Sequence, residues 1–109
     1  MKSNIIVSGS EDFIKFYSQL PRTAPLKAQL DDAMDLLKKN PDTGNRIKTR
    51  MWPAKYVKKY NINNLYRYSL GSGWRMIYTI IGQQGRINCV MLEILDHRNY
   101  DNLFGYKTS

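Results

Sequence analysis

The sequence predicts an α+β fold: a small antiparallel β-meander with an N-terminal strand and an N-terminal α-helix hairpin packed on one face. Three observations carry that expectation. Apolar residues recur with helical period in two stretches before residue 40, three β-branched and aromatic runs follow residue 65, and the connections between those runs are short and bounded by glycine. A chain of 109 residues fits one domain, 1–109, large enough for a real core and too small for two.

Asn4 to Val7 is a short β-branched run and a first strand. Ser8 and Ser10 follow it, with Glu11 three residues after Ser8 and Asp12 beside it, which is helix-start chemistry. Phe13, Phe16, Tyr17 and Leu20 then recur at i, i+3, i+4 and i+7, until Pro21 ends the helix. Thr23 is placed to cap a second helix with Pro25 in its first turn, where a missing amide proton costs nothing. Its stripe is Leu26, Leu30, Ala33, Met34 and Leu37; Lys38 and Lys39 suit the negative end of the helix dipole, and Asn40-Pro41 closes it. The short link between the two helices reads as an antiparallel hairpin whose stripes need a sheet to cover.

From Asp42 to Asn64 the pattern weakens. Asp42-Thr-Gly-Asn is turn chemistry, Arg46 to Trp52 an irregular or strand-like arm, and Pro53 to Tyr60 a short helix with Tyr56 and Tyr60 on one face. Tyr66 to Leu70, Trp74 to Ile81 and Arg86 to Leu95 are the strong strands, joined by Gly71-Ser-Gly73 and Gly82-Gln-Gln-Gly85. Simple pairing of Ile81 with Arg86 across the second loop would set Tyr78 opposite Cys89 and Arg75 opposite Leu92. After Leu95 the sequence reads as a polar turn with a short tail.

Charge is distributed unevenly. Residues 1 to 42 hold six basic and six acidic side chains, whereas residues 43 to 92 hold nine basic ones and no carboxylate. Those nine are Arg46, Lys48, Arg50, Lys55, Lys58, Lys59, Arg67, Arg75 and Arg86, interleaved with Trp52, Tyr56, Tyr60, Tyr66, Tyr68 and Trp74. Clustered cations among aromatic rings suit a polyanion, because phosphates reward positive charge and bases stack on aromatic faces. RNA contacts are therefore expected at Arg50, Lys55, Lys58, Lys59 and Arg98; an acidic protein partner fits the same charge. The N-terminus has neither the basic nor the apolar region of a signal peptide, and no apolar run approaches the ~20 residues that span a bilayer. The expectation is a soluble cytoplasmic protein with no membrane association.

Arg67, Arg75, His97, Arg98 and Tyr100 are the residues able to carry chemistry. Cleaving a phosphodiester without a metal needs a group to take the 2′-hydroxyl proton, one to protonate the leaving oxygen, and a cation where phosphate charge develops. A histidine such as His97 can serve as acid or base, Arg75 can hold a phosphate bidentately, and Tyr100 can stack on a base or position His97. A lone histidine after a strand is also an ordinary turn residue. Cys89, mid-strand among apolar neighbours, reads as a buried small hydrophobe, and a single cysteine excludes an internal disulfide. One His and one Cys give no transition-metal site, so neither metal nor cofactor is expected. Gly71-Ser-Gly73 leads into a strand, not a helix, so it lacks the context of a phosphate loop. The acid-free middle of the chain leaves no paired carboxylates of a glycosidase.

Leu65-Tyr-Arg-Tyr-Ser-Leu, Gly73-Trp-Arg-Met-Ile-Tyr and Ile87-Asn-Cys-Val-Met-Leu-Glu-Ile-Leu-Asp-His-Arg-Asn-Tyr resemble the C-terminal half of the RelE/ParE toxin superfamily. The preceding strand and helix hairpin match its usual order of elements. The resemblance implies a small sheet with two helices on one face and a basic cleft on the other. It also implies a type II toxin held by a cognate antitoxin, an endoribonuclease acting on mRNA at the ribosome. In that resemblance Arg75 takes the place of the arginine that binds the scissile phosphate, His97 or Arg98 and Tyr100 match the post-strand positions, and Arg67 matches a basic position on the preceding strand. Ser69 stands where some ribosome-dependent members have a second lysine, and no carboxylate stands where others keep a catalytic glutamate. Gyrase-poisoning toxins share the scaffold without ribonuclease chemistry, and a toxin-like fold that merely binds nucleic acid or a partner is a third reading.

Overall fold

The computed structural model describes residues 4–105. Strand β1 (Asn4–Gly9) leads into helices α1 (Glu11–Gln19) and α2 (Pro25–Lys39). A two-residue strand β2 (Asn45–Arg46), helix α3 (Ala54–Tyr60), strands β3 (Tyr66–Ser69), β4 (Arg75–Gln83) and β5 (Arg86–Leu95), and helix α4 (His97–Phe104) complete the order. One sheet runs β1-β5-β4-β3-β2. The fold is α+β, and the expected meander is present as antiparallel β3-β4-β5. The sheet as a whole is mixed rather than antiparallel, because β1 lies parallel to β5 from Asn4↔Arg86 to Gly9↔Met91. A parallel neighbour needs a long crossover, and everything between β1 and β5 supplies it.

That pairing also moves the first helix boundary. Ser8 remains in β1, its hydroxyl donating to Asn88 Oδ1 at 2.9 Å, so it is Ser10 and not Ser8 that caps α1. The Ser10 hydroxyl accepts from the Phe13 amide at 3.1 Å and donates to the Leu92 carbonyl at 2.7 Å, which fastens the helix start to the sheet. In α2 the cap is Ala24, without a side-chain bond, rather than Thr23. Pro25 at the first helical position forces the residue before it into extended backbone, which puts the boundary one residue later.

Side chains alternate across the sheet and build two cores. On one face Tyr66, Met76, Tyr78, Cys89, Met91 and Ile94 pack with Phe13 of α1 and Leu30, Ala33 and Leu37 of α2. On the other, Leu65, Ile77 and Leu92 pack with Tyr56 of α3 and with Tyr100 and Phe104 of α4. The second face is thus partly roofed by helices and not simply an open cleft. The Tyr78 hydroxyl donates to the Pro41 carbonyl at 2.8 Å and accepts from the Gly44 amide at 3.0 Å. Only glycine fits at 44, since a Cβ there would lie 2.6 Å from the Tyr78 hydroxyl.

The β4–β5 register differs from the simple expectation. The turn is two residues, Gln84-Gly85, both at positive φ (42° and 77°), as a type I′ hairpin turn requires, so Gln83 pairs with Arg86. A bulge between Ile77 and Tyr78 shifts the register again. Tyr78 therefore faces Met91 rather than Cys89, Ile80 faces Cys89, and Arg75 faces Leu95 rather than Leu92. The segment after Leu95 is a helix and not a polar turn. Asp96 caps it by accepting from the Asn99 amide at 2.8 Å, and Gly105 ends it in the left-handed region.

Candidate functional site: a basic cleft beside an arginine pair

Pairing of β3 with β4 fixes the centre of the site. Arg67 lies opposite Ile77 and Ser69 opposite Arg75, so the two arginines are diagonal neighbours on the face that α4 covers. Tyr100, on the inward side of α4, comes up between them and is only 2% exposed. The Arg67 guanidinium lies 5.6 Å from the Tyr100 ring centre and that of Arg75 4.9 Å, and the ring also stacks on Phe104 at 4.5 Å. A ring face attracts cations through its quadrupole, which lets two like charges share one partner. Arg67 Nη1 also donates to the Tyr100 hydroxyl at 2.9 Å, and Arg75 Nη1 to the Gly73 carbonyl at 2.8 Å.

Among the described residues neither arginine meets a carboxylate; the ion pairs there are Lys55–Glu93, Lys59–Asp12 and His97–Asp101. The Nε atoms of both arginines are buried without a hydrogen-bond partner. Those atoms are closed to a ligand, so it is the clustered guanidinium charge, with no carboxylate beside it among the described residues, that suits the site to an anion.

Beside this pair opens a cleft of about 370 Å³, walled by Arg46, Lys48, Arg50, Met51, Arg67 and Tyr100. The arm that forms its outer wall is held by Asn45↔Arg67 and Arg46↔Tyr66 pairing, by the Ile47 amide bonded to the Leu65 carbonyl at 2.8 Å, and by Trp52 Nε1 donating to the Ile47 carbonyl at 2.9 Å. Ile47 is buried, whereas Arg46, Lys48 and Arg50 are exposed.

The expected site residues thus divide. Arg67, Arg75 and Tyr100 converge, Arg50 joins Arg67 and Tyr100 at the cleft wall, Arg75 lies beside that lining and not in it, and His97 stands at the start of α4. A Cβ on Gly73 would lie 3.9 Å from that of His97, which sets the imidazole beside the turn that also receives Arg75. His97 Nε2 is 3.1 Å from Asp101 Oδ2. Tyr100 is covered by Phe104 and two guanidiniums, so it orients the arginines and presents no open face for a base. Lys55 is engaged by Glu93 at 2.9 Å and Lys59 by Asp12, whose carboxyl Lys59 and the Tyr60 hydroxyl hold below its ordinary range. Lys58 and Arg98 are exposed and do not line the cleft.

Sequence reading missed Arg46 and Lys48 as cleft residues, although their i, i+2, i+4 spacing with Arg50 was visible. It also missed Asp101, whose i, i+4 relation to His97 has meaning only once α4 is recognised. Glu93 was missed as well; it accepts from the buried Tyr56 hydroxyl at 2.7 Å, and burial together with that bond raises the phenol far above its usual value.

Burial pushes the Cys89 thiol up to about 11, unsuited to a nucleophile. Among the described residues no group of three or more His, Cys, Asp or Glu side chains could hold a metal ion, and no helix is long and apolar enough to cross a membrane. The fold and site define a small α+β protein with a basic, arginine-lined cleft on the helix-roofed face of its sheet. No protein-family model matches this chain, nor does any curated protein.

Proposed function

We propose that this chain is a RelE/ParE-like toxin: a metal-independent endoribonuclease that cleaves mRNA on the ribosome, acts in the cytoplasm and is held inactive by a cognate antitoxin. The observation that carries this reading is the convergence of Arg67 and Arg75 on Tyr100, with no carboxylate within ion-pair distance of either among the described residues, beside a cleft lined by further cations. In it Arg75 and Arg67 bind the scissile phosphate and stabilise the charge that develops on it, and His97 moves the proton. Tyr100 positions the two guanidiniums, and the cleft wall from Arg46 to Arg50 follows the RNA backbone. The antitoxin is an acidic, partly helical segment that covers the same cations.

A second reading rests on Ser69. It lies directly opposite Arg75 and supplies no additional cation there, which favours a non-nuclease, gyrase-poisoning toxin. Inducing the protein alongside Arg75→Ala and His97→Ala controls and mapping RNA ends separates the two. New RNA ends with the native chain and none with Arg75→Ala are expected. Growth arrest with intact RNA and a DNA-damage response would remove the ribonuclease reading, and harmless expression without an antitoxin would remove both.

A further inference from the structure

The acid-free middle of the sequence leaves no carboxylate for the reaction there, yet three acids return after it: Glu93, Asp96 and Asp101. Two are committed elsewhere. Glu93 accepts from Tyr56 and pairs with Lys55, and Asp96 caps α4 on the Asn99 amide. Asp101 meets neither a lysine nor an arginine within ion-pair distance among the described residues; it pairs with His97. The two side chains differ in exposure, 61% for His97 and 13% for Asp101, so an open imidazole is anchored by a largely covered carboxylate. The next residue back on the same helix turn is Tyr100, under both arginines.

His97 Nε2 lies 3.1 Å from Asp101 Oδ2, within ion-pair reach and short enough for a hydrogen bond when the exposed ring presents Nε2–H to the carboxylate. An ionised carboxylate only accepts, so the proton of such a bond is carried by Nε2, and in the neutral ring the remaining acceptor is Nδ1. We propose that Asp101 is the positioning residue of His97, holding the imidazole as its Nε2–H tautomer so that Nδ1 serves as the general base. This inference rests on the ribonuclease reading above. In the step it supports, Nδ1 takes the proton of a 2′-hydroxyl as the O2′–P bond forms. The P–O5′ bond breaks with its electron pair going to O5′, which takes a proton from water, and the imidazolium returns its proton to the hydroxide left behind. The products are a 2′,3′-cyclic phosphate and a 5′-hydroxyl.

An i, i+4 pair could equally be a mere helix staple, so the test needs a readout that stapling does not move. His97 is the single histidine of the chain, which makes its ring nitrogens unambiguous in long-range ¹H–¹⁵N spectra. In the native protein the neutral ring is expected to carry its proton on Nε2. In Asp101→Asn, whose amide can donate to Nε2, the Nδ1–H form is expected to appear. General base catalysis is worth about 10²–10⁴ in rate, so the kcat of Asp101→Asn for RNA cleavage is expected to fall at least about tenfold, with KM within about twofold. Asp101→Glu, which keeps the carboxylate, is expected to recover most of the loss; a variant disabled only by misfolding would not separate kcat from KM in this way. A native ring protonated on Nδ1, or a native kcat in Asp101→Asn, overturns the proposal. A native chain that leaves RNA intact while Nε2 stays protonated overturns the ribonuclease reading instead.

Discussion

Replacing Tyr100 by phenylalanine and by leucine separates its hydroxyl from its ring. Tyr100→Phe removes the 2.9 Å bond from Arg67 Nη1 but keeps the ring beneath both guanidiniums and against Phe104. A hydrogen bond to a charged group is worth about 1.5–3 kcal/mol when its partner is left unsatisfied. Arg67 borders an open cleft in which water can replace the hydroxyl, so a cost of about 1 kcal/mol is expected. Tyr100→Leu also removes the stack on Phe104, worth about 0.5–1.5 kcal/mol, and two cation–π contacts of about 0.5–1 kcal/mol each. Its total cost is therefore about 3 kcal/mol. For a domain of this size these figures correspond to falls in Tm of about 5 °C and about 15 °C. Urea and thermal unfolding measure both, provided the m-value is unchanged. Equal losses in the two variants would show that the ring contributes nothing beyond its hydroxyl, and losses below about 0.5 kcal/mol in both would refute the claim that Tyr100 holds the arginine pair.

Other expectations follow from the same contacts. Tyr78→Phe leaves the Pro41 carbonyl and the Gly44 amide unpartnered and is expected to cost about 2 kcal/mol by urea unfolding. Burial raises the Tyr78 phenol to about 12 from 10.0, so the folded state keeps a proton that the unfolded chain loses. Its contribution is complete below pH 10.0 and is lost as pH rises toward about 12, and the alkaline fall in stability is expected to be shallower in Tyr78→Phe than in the native chain. Cys89, buried and with its thiol raised to about 11, is expected to react with iodoacetamide at mildly alkaline pH only as fast as the protein unfolds; rapid native-state alkylation would contradict its place in the core. Arg50→Ala is expected to reduce the slope of log K against log salt for single-stranded RNA by about 0.7, whereas Lys55→Ala, already tied to Glu93, is expected to leave it unchanged.

Much of the fold was legible because its signals are local. Leu30, Ala33 and Leu37 fall on one helical face, and the run from Arg86 to Leu95 is a strand with the bounds the sequence suggested. What escaped depended on partners distant in sequence or on single backbone choices. Nothing within Asn4 to Gly9 states that it lies parallel to β5, and the two-residue turn at Gln84-Gly85 and the bulge at Ile77/Tyr78 are decided by backbone geometry that Gly82-Gln-Gln-Gly85 leaves open. Helix α4 was readable in principle: Asp96 is a good cap, and Tyr100, Leu103 and Phe104 recur at i, i+3 and i+4. Density of polar residues from Asp96 to Asn102 concealed it. The site divides in the same way. Arginine is conspicuous in an apolar strand, so Arg75 stood out, whereas the spending of Lys55 and Lys59 on Glu93 and Asp12 depends on contacts between α3, β5 and α1 that only the folded chain makes.

The central claim is that the Arg67–Arg75 pair binds a phosphodiester for cleavage. Its most direct test is to incubate the purified protein, and a folded Arg75→Ala variant, with ribosomes carrying a defined mRNA and to determine the chemistry of the product ends. The expected result is cleavage to 2′,3′-cyclic phosphate and 5′-hydroxyl ends by the native protein, lowered at least about a hundredfold by Arg75→Ala, in line with the loss of one transition-state donor. Intact mRNA with the native protein, or equal cleavage by both proteins, would contradict it.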